Sequence, residues 1–566
     1  MTKLIIDISK YVLLVLIALY ALQSYIIFKK KNEDAREFLF LRQNVLMFAI
    51  HFIAFTVFYL KMDESTLFYF YGAQAIYLGA VLVLFRNLYP RASKLLVNNM
   101  CMLITIGFIM LTRISYDQSM KQFKILAIAT VAALIIPILV KKLKFLDKLG
   151  YIYALGGIGL LGVVLVFAKF SYGSKLSLSI GGFTFQPSEF VKIIFVFAVA
   201  SLLAKATDFK HVVITTAIAG AHVLILVVSK DLGSALIFFV TYLVMLYVGT
   251  RDWRYLFLGI MAGVIASVAA YFLFSHVRVR VQVWKDPFAS YTGDGYQVAQ
   301  SLFAIGAGGW FGTGLYQGSP TMIPIVEQDF MFSAICEELG GFFAICLILI
   351  YMSCFIMFVN IAFKMENKFA RLASLGLGCT FSVQVFLTVG GAMKMIPSTG
   401  VTLPFISYGG SSIMSTVIMF AIVQGFYISR REERGEYPDG EYGYYDEYGN
   451  FYPGPDGYAP YGYDENGYPY PYPEDGHENG YPYEGDGYGY PENGYDNGYP
   501  YQENGYMPYQ QVGYDENFPD PQNSGPDLYA PDRGYGMNEY DEETDGSEEE
   551  SNEKERHKFS LRRKSR

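Results

Sequence analysis

The 566-residue chain joins two different compositions, so its average properties describe neither part. Residues 1–435 carry 36 Lys+Arg against 21 Asp+Glu, residues 436–566 carry 8 against 31, and the overall charge of −8 hides this contrast. The five cysteines show no CxxC or Cys/His spacing, which excludes a zinc site or a disulfide framework as the basis of the fold.

Thirteen apolar segments follow one another in the first part of the chain. A bilayer core needs about 20 apolar residues per helix, and so many segments of that length could not share one soluble core. The first segment is too long for a signal peptide and ends at three consecutive lysines. We therefore predict an all-α, polytopic protein of the cell membrane, with helices near 10–28, 43–60, 67–85, 98–112, 124–140, 151–168, 188–205, 211–228, 233–249, 254–275, 332–362, 369–391 and 403–428.

The connections between these segments alternate in their content of Lys and Arg. Cytoplasmic loops are enriched in both residues, and the basic connections are 29–42, 86–97, 141–150, 250–254, 363–371 and the exit at Arg430-Arg431. This alternation predicts an external N-terminus and a cytoplasmic C-terminus. The outer connections are then 113–123, 169–187, 229–232, 276–331 and 392–402, of which 276–331 has room for chemistry on an external substrate.

Polar residues at membrane depth are costly and therefore mark candidate functional sites. In the first such cluster, residues 186–192, Pro187 and Ser188 suit the start of a helix. Glu189 and Lys192 are three apart, hence on one helical face. An ion pair that only orients helices is the alternative reading.

The predicted outer loop 276–331 contains a second cluster. Arg278 and Arg280 could present bidentate donors to phosphate oxygens. The segment continues through Gln297 and Gln300 into a glycine-rich run at 306–309. Glycines let a chain approach a ligand closely, although loop flexibility explains them equally well.

Two further clusters flank the last helices. Asp329 stands where the outer loop meets the next helix, and Glu337 and Glu338 follow it. Lys394 precedes a Pro/Gly-interrupted helix start that includes Ser407. Both clusters are candidate site segments.

The acidic tail, residues 431–566, repeats units such as Asn-Gly-Tyr-Pro-Tyr. A chain so rich in Gly, Pro, Asn and acid cannot bury enough apolar surface to offset its ordering entropy. We predict a disordered cytoplasmic tail. Its final basic cluster could touch anionic membrane lipid or be solvated.

Taken in order, these motifs resemble those of the SEDS family, the shape, elongation, division and sporulation proteins that include FtsW, RodA and SpoVE. The resemblance rests on QPSEFVK at 186–192, DLGSA at 231–235, RVRV with DP at 278–287, GYQVAQSLFAIGAGGWFG at 295–312, DF and EELG at 329–340, and LPFISYGGSS at 403–412. It covers roughly residues 98–430 and implies a core of about ten helices. Residues 1–97 would then form an added module of N-terminal helices.

The resemblance implies a peptidoglycan glycosyltransferase of cell division or of cell shape and elongation. Such an enzyme polymerises lipid II, an undecaprenyl-pyrophosphate-linked disaccharide-pentapeptide, at the outer membrane face by an inverting reaction. The implied partners are a class B penicillin-binding transpeptidase and the division or elongation machinery. No nucleic-acid partner is expected.

The resemblance also assigns roles to residues. Asp329 matches the family's catalytic aspartate, and a carboxylate can take the proton of the attacking sugar hydroxyl. Fixed cations would stabilise the leaving pyrophosphate. No protein metal site is predicted, but a divalent cation such as Mg²⁺ could share this task. The expected substrate-binding residues are Glu189, Lys192, Arg278, Arg280, Gln297, Gln300, Lys394 and Ser407.

Three positions depart from the family pattern. Ser177 stands where a tryptophan is common, Ser319 where a lysine is often found, and Glu327-Gln328 where His-Thr usually precedes the aspartate. Glu327 is expected either to raise the pKa of Asp329 by like-charge repulsion or to take part in cation binding.

Two other functions fit parts of the sequence. Interrupted helices and buried charges also mark transport pathways, so a lipid II flippase is one alternative. The altered loops favour a catalytically idle scaffold of the division or elongation machinery, while the presence of Asp329, Glu189 and Lys192 opposes it.

Overall fold

The computed structural model describes residues 2–143, 145–167, 178–180 and 183–433, and four three-residue strands beyond them. The chain separates into two units, Met1–Gly476 and His477–Arg566, and everything described below belongs to the first.

Sixteen α-helices make up nearly all of this described part. The first eight are α1 (Thr2–Lys29), α2 (Glu33–Met62), α3 (Ser65–Leu88), α4 (Lys94–Ile114), α5 (Tyr116–Lys142), α6 (Gly150–Phe167), α7 (Pro187–Lys205) and α8 (Phe209–Val228). The others are α9 (Leu232–Thr250), α10 (Trp253–Leu273), α11 (Ser275–Lys285), α12 (Tyr296–Gly308), α13 (Met331–Leu339), α14 (Gly341–Lys364), α15 (Lys368–Ala392) and α16 (Gly410–Glu433). Short 3₁₀ turns lie at Leu146–Lys148 and Pro320–Met322.

Thirteen of these helices are long and apolar enough to cross a membrane, which confirms the predicted number of spans. The exceptions are α11 and α12, which the sequence pattern did not predict, and α13, which it predicted as the first part of one longer helix. The predicted outer loop 276–331 contains α11 and α12. The single helix predicted at 332–362 is broken at Gly340, whose φ of +90° lies in the region that favours glycine.

The helices fall into inner and outer positions in the bundle. The spanning window of α4 is entirely buried, and those of α7, α15 and α16 are largely buried. A helix that is apolar on all sides is suited to such a central position. By contrast, α10 has no buried residue and lies at the periphery.

The first two of the three N-terminal helices are attached to the rest by polar contacts within the bundle. Tyr20 Oη donates to Asn99 Oδ1 at 3.2 Å, and Asn98 Nδ2 donates to Gln43 Oε1 at 3.1 Å. Lys10 Nζ donates to the Gly312 carbonyl at 3.2 Å. These bonds tie α1 and α2 to α4 and to the loop after α12; the division of the chain at residue 97 stays a prediction.

The connections gather at two ends of the bundle. At the end that we call the Asp329 end, Arg113 Nη2 donates to the Gly318 carbonyl at 3.0 Å, and Gln118 Nε2 donates to Glu327 Oε1 at 3.1 Å. At the opposite, Arg430 end, Lys141 Nζ lies 2.5 Å from Glu432 Oε2. Among the described residues, the connections 113–123, 276–331 and 392–402, which are predicted to lie outside, meet at the Asp329 end. The connections 29–42 and 86–97 and the exit at Arg430-Arg431, which are predicted to lie inside, meet at the Arg430 end.

The strands are short antiparallel pairs. Leu178–Ile180 pairs with Phe183–Phe185 just before α7. In the tail, Gly443–Tyr445 pairs with Phe451–Pro453, and Tyr461–Tyr463 pairs with Pro469–Pro471. The predicted disordered tail otherwise lies outside the described residues, except that α16 extends to Glu433 and so includes the first residues assigned to the tail.

Candidate functional site

A cavity of about 190 Å³ opens at the Asp329 end of the bundle. Three segments that are far apart in the sequence form it: α11, the region around the start of α12, and the end of α15 with the chain that follows it. Asp329, two residues before α13, completes it. Its lining residues are Val279, Arg280, Val283, Trp284, Asp294, Gln297, Val298, Asp329, Gly391, Lys394, Ile396, Ser398 and Gly400.

Asp329 is the last polar residue before α13 and is followed by the fully buried Phe330. Burial raises the pKa of the Asp329 carboxyl to about 6, nearby Arg280 lowers it, and Glu327 raises it. The raised pKa makes the carboxylate a stronger base than an ordinary aspartate, while it remains largely ionised at neutral pH. This bears out the first of the two expectations for Glu327.

Arg280 approaches Asp329 from α11. Its Nη1 donates to the Ser398 carbonyl at 3.3 Å. Burial lowers the pKa of Arg280, while Asp329 and Asp231 raise it. The guanidinium is therefore held by the chain after α15 and faces two carboxylates.

Gly400 marks the point where these two groups converge. A Cβ at this position would lie 3.6 Å from Asp329 Oδ2 and 4.0 Å from Arg280 Nη2. The φ of Gly400 is +74°, which favours glycine. Because Gly400 has no side chain, the space between the Asp329 carboxylate and the Arg280 guanidinium stays open to a ligand.

Lys394 lines the same cavity from a turn at the end of α15. Its φ of +59° is unusual for a residue with a side chain. The Lys394 carbonyl accepts a bond from Trp284 Nε1 at 3.1 Å, which joins the turn to α11. Strained residues at a ligand site persist only where surrounding contacts hold them, and the indole bond is one such contact.

The segment that carries Asp329 is fixed by its neighbours. Tyr408 N donates to the Glu327 carbonyl at 2.7 Å, and Gln118 binds the Glu327 side chain. Ser407 Oγ accepts a bond from Leu403 N at 3.0 Å and closes the turn that presents Tyr408. Ser407 does not line the cavity, and its predicted substrate contact stays a prediction.

Glu189 and Lys192 form the predicted ion pair, but they too lie outside the cavity lining. Their Oε2 and Nζ are 2.6 Å apart, and both side chains are buried. Lys192 Nζ also donates to Gln384 Oε1 at 2.6 Å, and Ser415 Oγ donates to Glu189 Oε2 at 3.1 Å. The pair joins α7 to α15 and α16, which corresponds to the alternative reading of the sequence.

Asp231 connects this buried pair with the cavity wall. Its Oδ2 accepts a bond from Ser188 Oγ at 3.2 Å, and its Oδ1 caps α9 at Ser234 N. Burial raises the pKa of Asp231. A Cβ on Gly233 would lie only 2.4 Å from Val401 Cγ2, so the start of α9 packs directly against the chain that carries Gly400.

Two glycines, one in the glycine-rich run and one just after it, serve backbone packing. A Cβ on Gly308 would lie 2.0 Å from the Cys336 carbonyl oxygen, and one on Gly312 would lie 2.3 Å from that of Glu338. Gly308 and Gly312 thus allow the segment to pack backbone to backbone on α13. Of the run at 306–309, no residue lines the cavity, and the close approach of these glycines to a ligand stays a prediction.

Glu337 and Glu338 stabilise the same region. Glu338 Oε1 lies 2.8 Å from Arg113 Nε, and burial raises the pKa of Glu338 to about 7. Glu337 Oε1 accepts a bond from Ser319 N at 2.6 Å. Ser319, which stands where the family often has a lysine, therefore lies in a loop that is held through its backbone.

Four of the predicted site residues meet in the cavity: Asp329, Arg280, Gln297 and Lys394. Arg278 is exposed outside it, because it lies two residues from Arg280 on the same helix. Gln300 Nε2 instead donates to Tyr291 Oη at 2.8 Å. Ser177 lies outside the described residues.

Sequence reasoning missed several residues of the lining, among them Asp294 and Trp284. Asp294 sits between two glycines, and this turn pattern was the available signal. Within the described ranges, no group of three His, Cys, Asp or Glu residues could hold a metal ion. Asp294 and Asp329 are the two carboxylates that the cavity offers.

Comparisons with known proteins agree with this architecture. Residues 93–432 match the family model of the FtsW, RodA and SpoVE cell cycle proteins. The chain is 33% identical over 374 residues to the peptidoglycan glycosyltransferase RodA of Mycobacterium bovis, which covers 61% of this chain and 80% of that one. It is 33% identical over 282 residues to the probable peptidoglycan glycosyltransferase FtsW of Aliivibrio salmonicida, which covers 46% and 69% of the two chains.

A solved structure described as "Structural coordination of polymerization and crosslinking by a peptidoglycan synthase complex" contains a similar chain. The TM-score is 0.52 at 25% identity, and the match covers 60% of this chain and 98% of that one.

Proposed function

This chain belongs to the FtsW, RodA and SpoVE family of cell cycle proteins, and we propose that it is a peptidoglycan glycosyltransferase that polymerises lipid II into glycan strands. The named relatives support the reaction class. The observation that carries the proposal for the site is the meeting of Asp329, Arg280 and Lys394 in one cavity at an end of a membrane bundle.

Asp329 is the general base of the proposed reaction. It takes the proton of the acceptor sugar hydroxyl as that oxygen attacks the anomeric carbon of the donor. Because the proposed reaction is a single displacement assisted by one base, the configuration of that carbon is inverted. With a pKa of about 6, the carboxylate is both ionised and basic at neutral pH, as this step requires.

Arg280 and Lys394 stabilise the leaving pyrophosphate. Negative charge gathers on the leaving group in the transition state, and fixed cations stabilise it there more than in the ground state. Arg280 is already held by the Ser398 carbonyl, so little reorganisation is needed. Gln297 is a neutral side chain of the same lining, and its Nε2 donates to the Pro324 carbonyl at 2.7 Å.

A divalent cation such as Mg²⁺ fits as a partner of the substrate. Mg²⁺ is commonly held by one or two carboxylates together with substrate phosphates, and Asp294 is the lining carboxylate available for this while Asp329 serves as the base. The ion would supply neutralising charge to the pyrophosphate.

The cavity of about 190 Å³ is smaller than the roughly 300–1,000 Å³ of sites that enclose whole ligands. It therefore holds the reacting groups, and the rest of the lipid-linked substrate extends beyond it. The isoprenoid chain belongs in the bilayer because the bundle around the site crosses it.

We place the Asp329 end and the N-terminus outside the cell and the C-terminal tail in the cytoplasm. The distribution of Lys and Arg supports this orientation. Protease added to intact cells should leave the tail uncut, and digestion of the tail from outside would contradict the placement.

A class B penicillin-binding transpeptidase is the proposed partner, together with the division or elongation machinery. The match to a chain of a peptidoglycan synthase complex supports this pairing.

The deciding experiment is polymerisation of lipid II by purified full-length protein, alone and with a candidate transpeptidase. Glycan strands should appear with wild-type protein and not with Asp329→Asn. Transport of lipid II across vesicles without polymerisation would instead favour a flippase, and neither activity would favour a scaffold.

A further inference from the structure

The connection from α12 to Asp329, which we call segment 309–328, has an unusual backbone. Among the described residues, seven that are not glycine have a positive φ, and two of these, Tyr316 and Ile325, lie in this segment with φ of +67° and +55°. Such a conformation is uncommon for a residue with a Cβ, and for a β-branched residue it is an outlier. It persists only where surrounding contacts hold it. The segment that leads to Asp329 therefore depends on contacts from its neighbours.

The start of α1 provides two of these contacts. Gln317 Nε2 donates to Asp7 Oδ1 at 2.7 Å, and Lys10 Nζ donates to the Gly312 carbonyl at 3.2 Å. Asp7 and Lys10 are three residues apart and so share one helical face. That face of α1 therefore lies against the first half of segment 309–328.

Tyr316 is held by side chains of α2 and α4. Its ring centroid lies 5.8 Å from that of Phe58, a fully buried residue of α2. The guanidinium carbon of Arg113, on α4, lies 4.1 Å from the centre of the Tyr316 ring, which makes a cation–π contact. These two contacts fix the side chain of a residue whose backbone conformation is unfavourable.

Segment 309–328 is joined to α13, the nine-residue helix that begins two residues after Asp329. Thr313 N donates to the Glu337 carbonyl at 2.9 Å, and Ser319 N donates to the Glu337 side chain at 2.6 Å. Because a short helix moves as a unit, a shift at its end is passed to its start. A misplacement of about 1 Å at a reacting group can lower a rate about 100-fold. Contacts made by this segment thus bear on the position of Asp329.

The last part of the segment is also joined to the catalytic cavity. Gln297, which lines the cavity, donates through Nε2 to the Pro324 carbonyl at 2.7 Å. Gln328 N, directly before Asp329, donates to the carbonyl of the strained Ile325 at 3.1 Å. The segment therefore reaches Asp329 both through α13 and through its own final turn.

The contacts from α1 and α2 come from outside the part of the chain that matches the family model, residues 93–432. Asp7, Lys10 and Phe58 do not line the catalytic cavity. The helix α1 is itself fixed in the bundle, where Tyr20 Oη donates to an α4 side chain. Any effect of these residues on the reaction therefore has to pass through segment 309–328.

We propose that Asp7, Lys10 and Phe58 form an N-terminal brace, which holds segment 309–328 and thereby positions Asp329. The effect on catalysis rests on the proposed function, whereas the brace contacts can be measured without it. Loss of the brace should lower kcat and kcat/KM together and leave KM nearly unchanged, because substrate binding is not touched. A purely structural role would instead lower the unfolding temperature and leave the kcat of the folded protein unchanged.

The first test changes the contact between Asp7 and the exposed Gln317 in purified full-length protein. Gln317→Glu brings two carboxylates together and should lower the kcat of lipid II polymerisation about two- to fivefold. The double variant Asp7→Asn, Gln317→Glu restores an amide–carboxylate bond and should return kcat to the wild-type value. The control Lys3→Met makes the same change of net charge at an exposed residue of α1 and should change nothing. An unchanged kcat in Gln317→Glu, or no recovery in the double variant, would overturn the proposal.

The second test concerns the ring of Tyr316. Tyr316→Leu removes the aromatic ring that Phe58 and Arg113 contact, and it should lower kcat about tenfold with little change in KM. Tyr316→Phe keeps the ring and should retain the wild-type kcat. The pH profile of Tyr316→Leu should keep its acid limb near pH 6, because Asp329 is still the base. Equal kcat values of the two variants would overturn the role of the ring.

The third test measures backbone hydrogen exchange of segment 309–328 by mass spectrometry and needs no enzymatic activity. Exchange should be faster in Gln317→Glu and Tyr316→Leu than in wild-type protein, and unchanged in Lys3→Met. Faster exchange with a normal kcat would overturn the positioning role, and unchanged exchange would overturn the brace itself. If wild-type protein does not polymerise lipid II, the proposed function fails, and the exchange rates still decide whether the brace holds the segment.

Discussion

Replacing Asp329 with asparagine removes the proposed base while the side chain keeps its shape. An amide cannot take up the hydroxyl proton, and general base catalysis typically contributes about 10²–10⁴-fold. Because the pKa of Asp329 is about 6, about nine-tenths of the wild-type enzyme is in the active, ionised form at pH 7. Asp329→Asn should therefore lower the rate of lipid II polymerisation by about 10²–10⁴-fold at this pH.

The pH dependence gives an independent check. Wild-type activity should fall as the pH drops through about 6, because protonation of Asp329 removes the base. Glu327→Gln removes a like charge, so the pKa of Asp329 should fall and the acid limb should move to lower pH. Any residual activity of Asp329→Asn should lack this limb.

The assay is polymerisation of lipid II by purified, partner-bound protein, with unfolding temperature as the measure of intact fold. Asp286→Asn is the matched control: Asp286 is exposed, does not line the cavity, and caps Phe288 N through Oδ1, a contact that an amide oxygen can replace. Activity of Asp329→Asn within a few-fold of wild type would refute the general-base assignment.

Three further predictions concern the rest of the chain. Glu189→Gln and Lys192→Met should each destabilise the protein by about 3–5 kcal/mol. The double variant should lose less free energy of unfolding than the sum of the two single losses. Unchanged unfolding temperature and activity in both single variants would show that the pair is dispensable. Gly340→Ala should destabilise the protein by about 2 kcal/mol or more, because the added Cβ would lie 2.4 Å from a backbone nitrogen. The control Gly306→Ala should be neutral, because its Cβ would meet no atom within 4 Å. Equal unfolding temperatures of the two variants would contradict the packing argument. A truncation after Arg434 should polymerise lipid II within a few-fold of full length while its localisation or cytoplasmic partners change, and loss of polymerisation would show that catalysis needs the tail.

The amino-acid sequence was sufficient for properties that depend on local pattern. Helix number follows from apolar segments of bilayer length, and the structure contains the same thirteen candidate spans. The ion pair of Glu189 and Lys192 also follows from local geometry, because residues three apart share a helical face. The position of Asp329 at the end of the outer segment was likewise readable from the chain.

Only the tertiary structure decided which candidates share a site. Arg280 and Arg278 are equivalent as sequence patterns, yet only Arg280 lines the cavity with Asp329. Asp294 enters the site from a turn that carries no strong motif. Gly308 belongs to a run that loop flexibility explains as well as ligand approach, until its contact with the backbone of α13 is known. The physical reason is that proximity between distant segments is set by the packing of whole helices, which no local pattern of residues specifies.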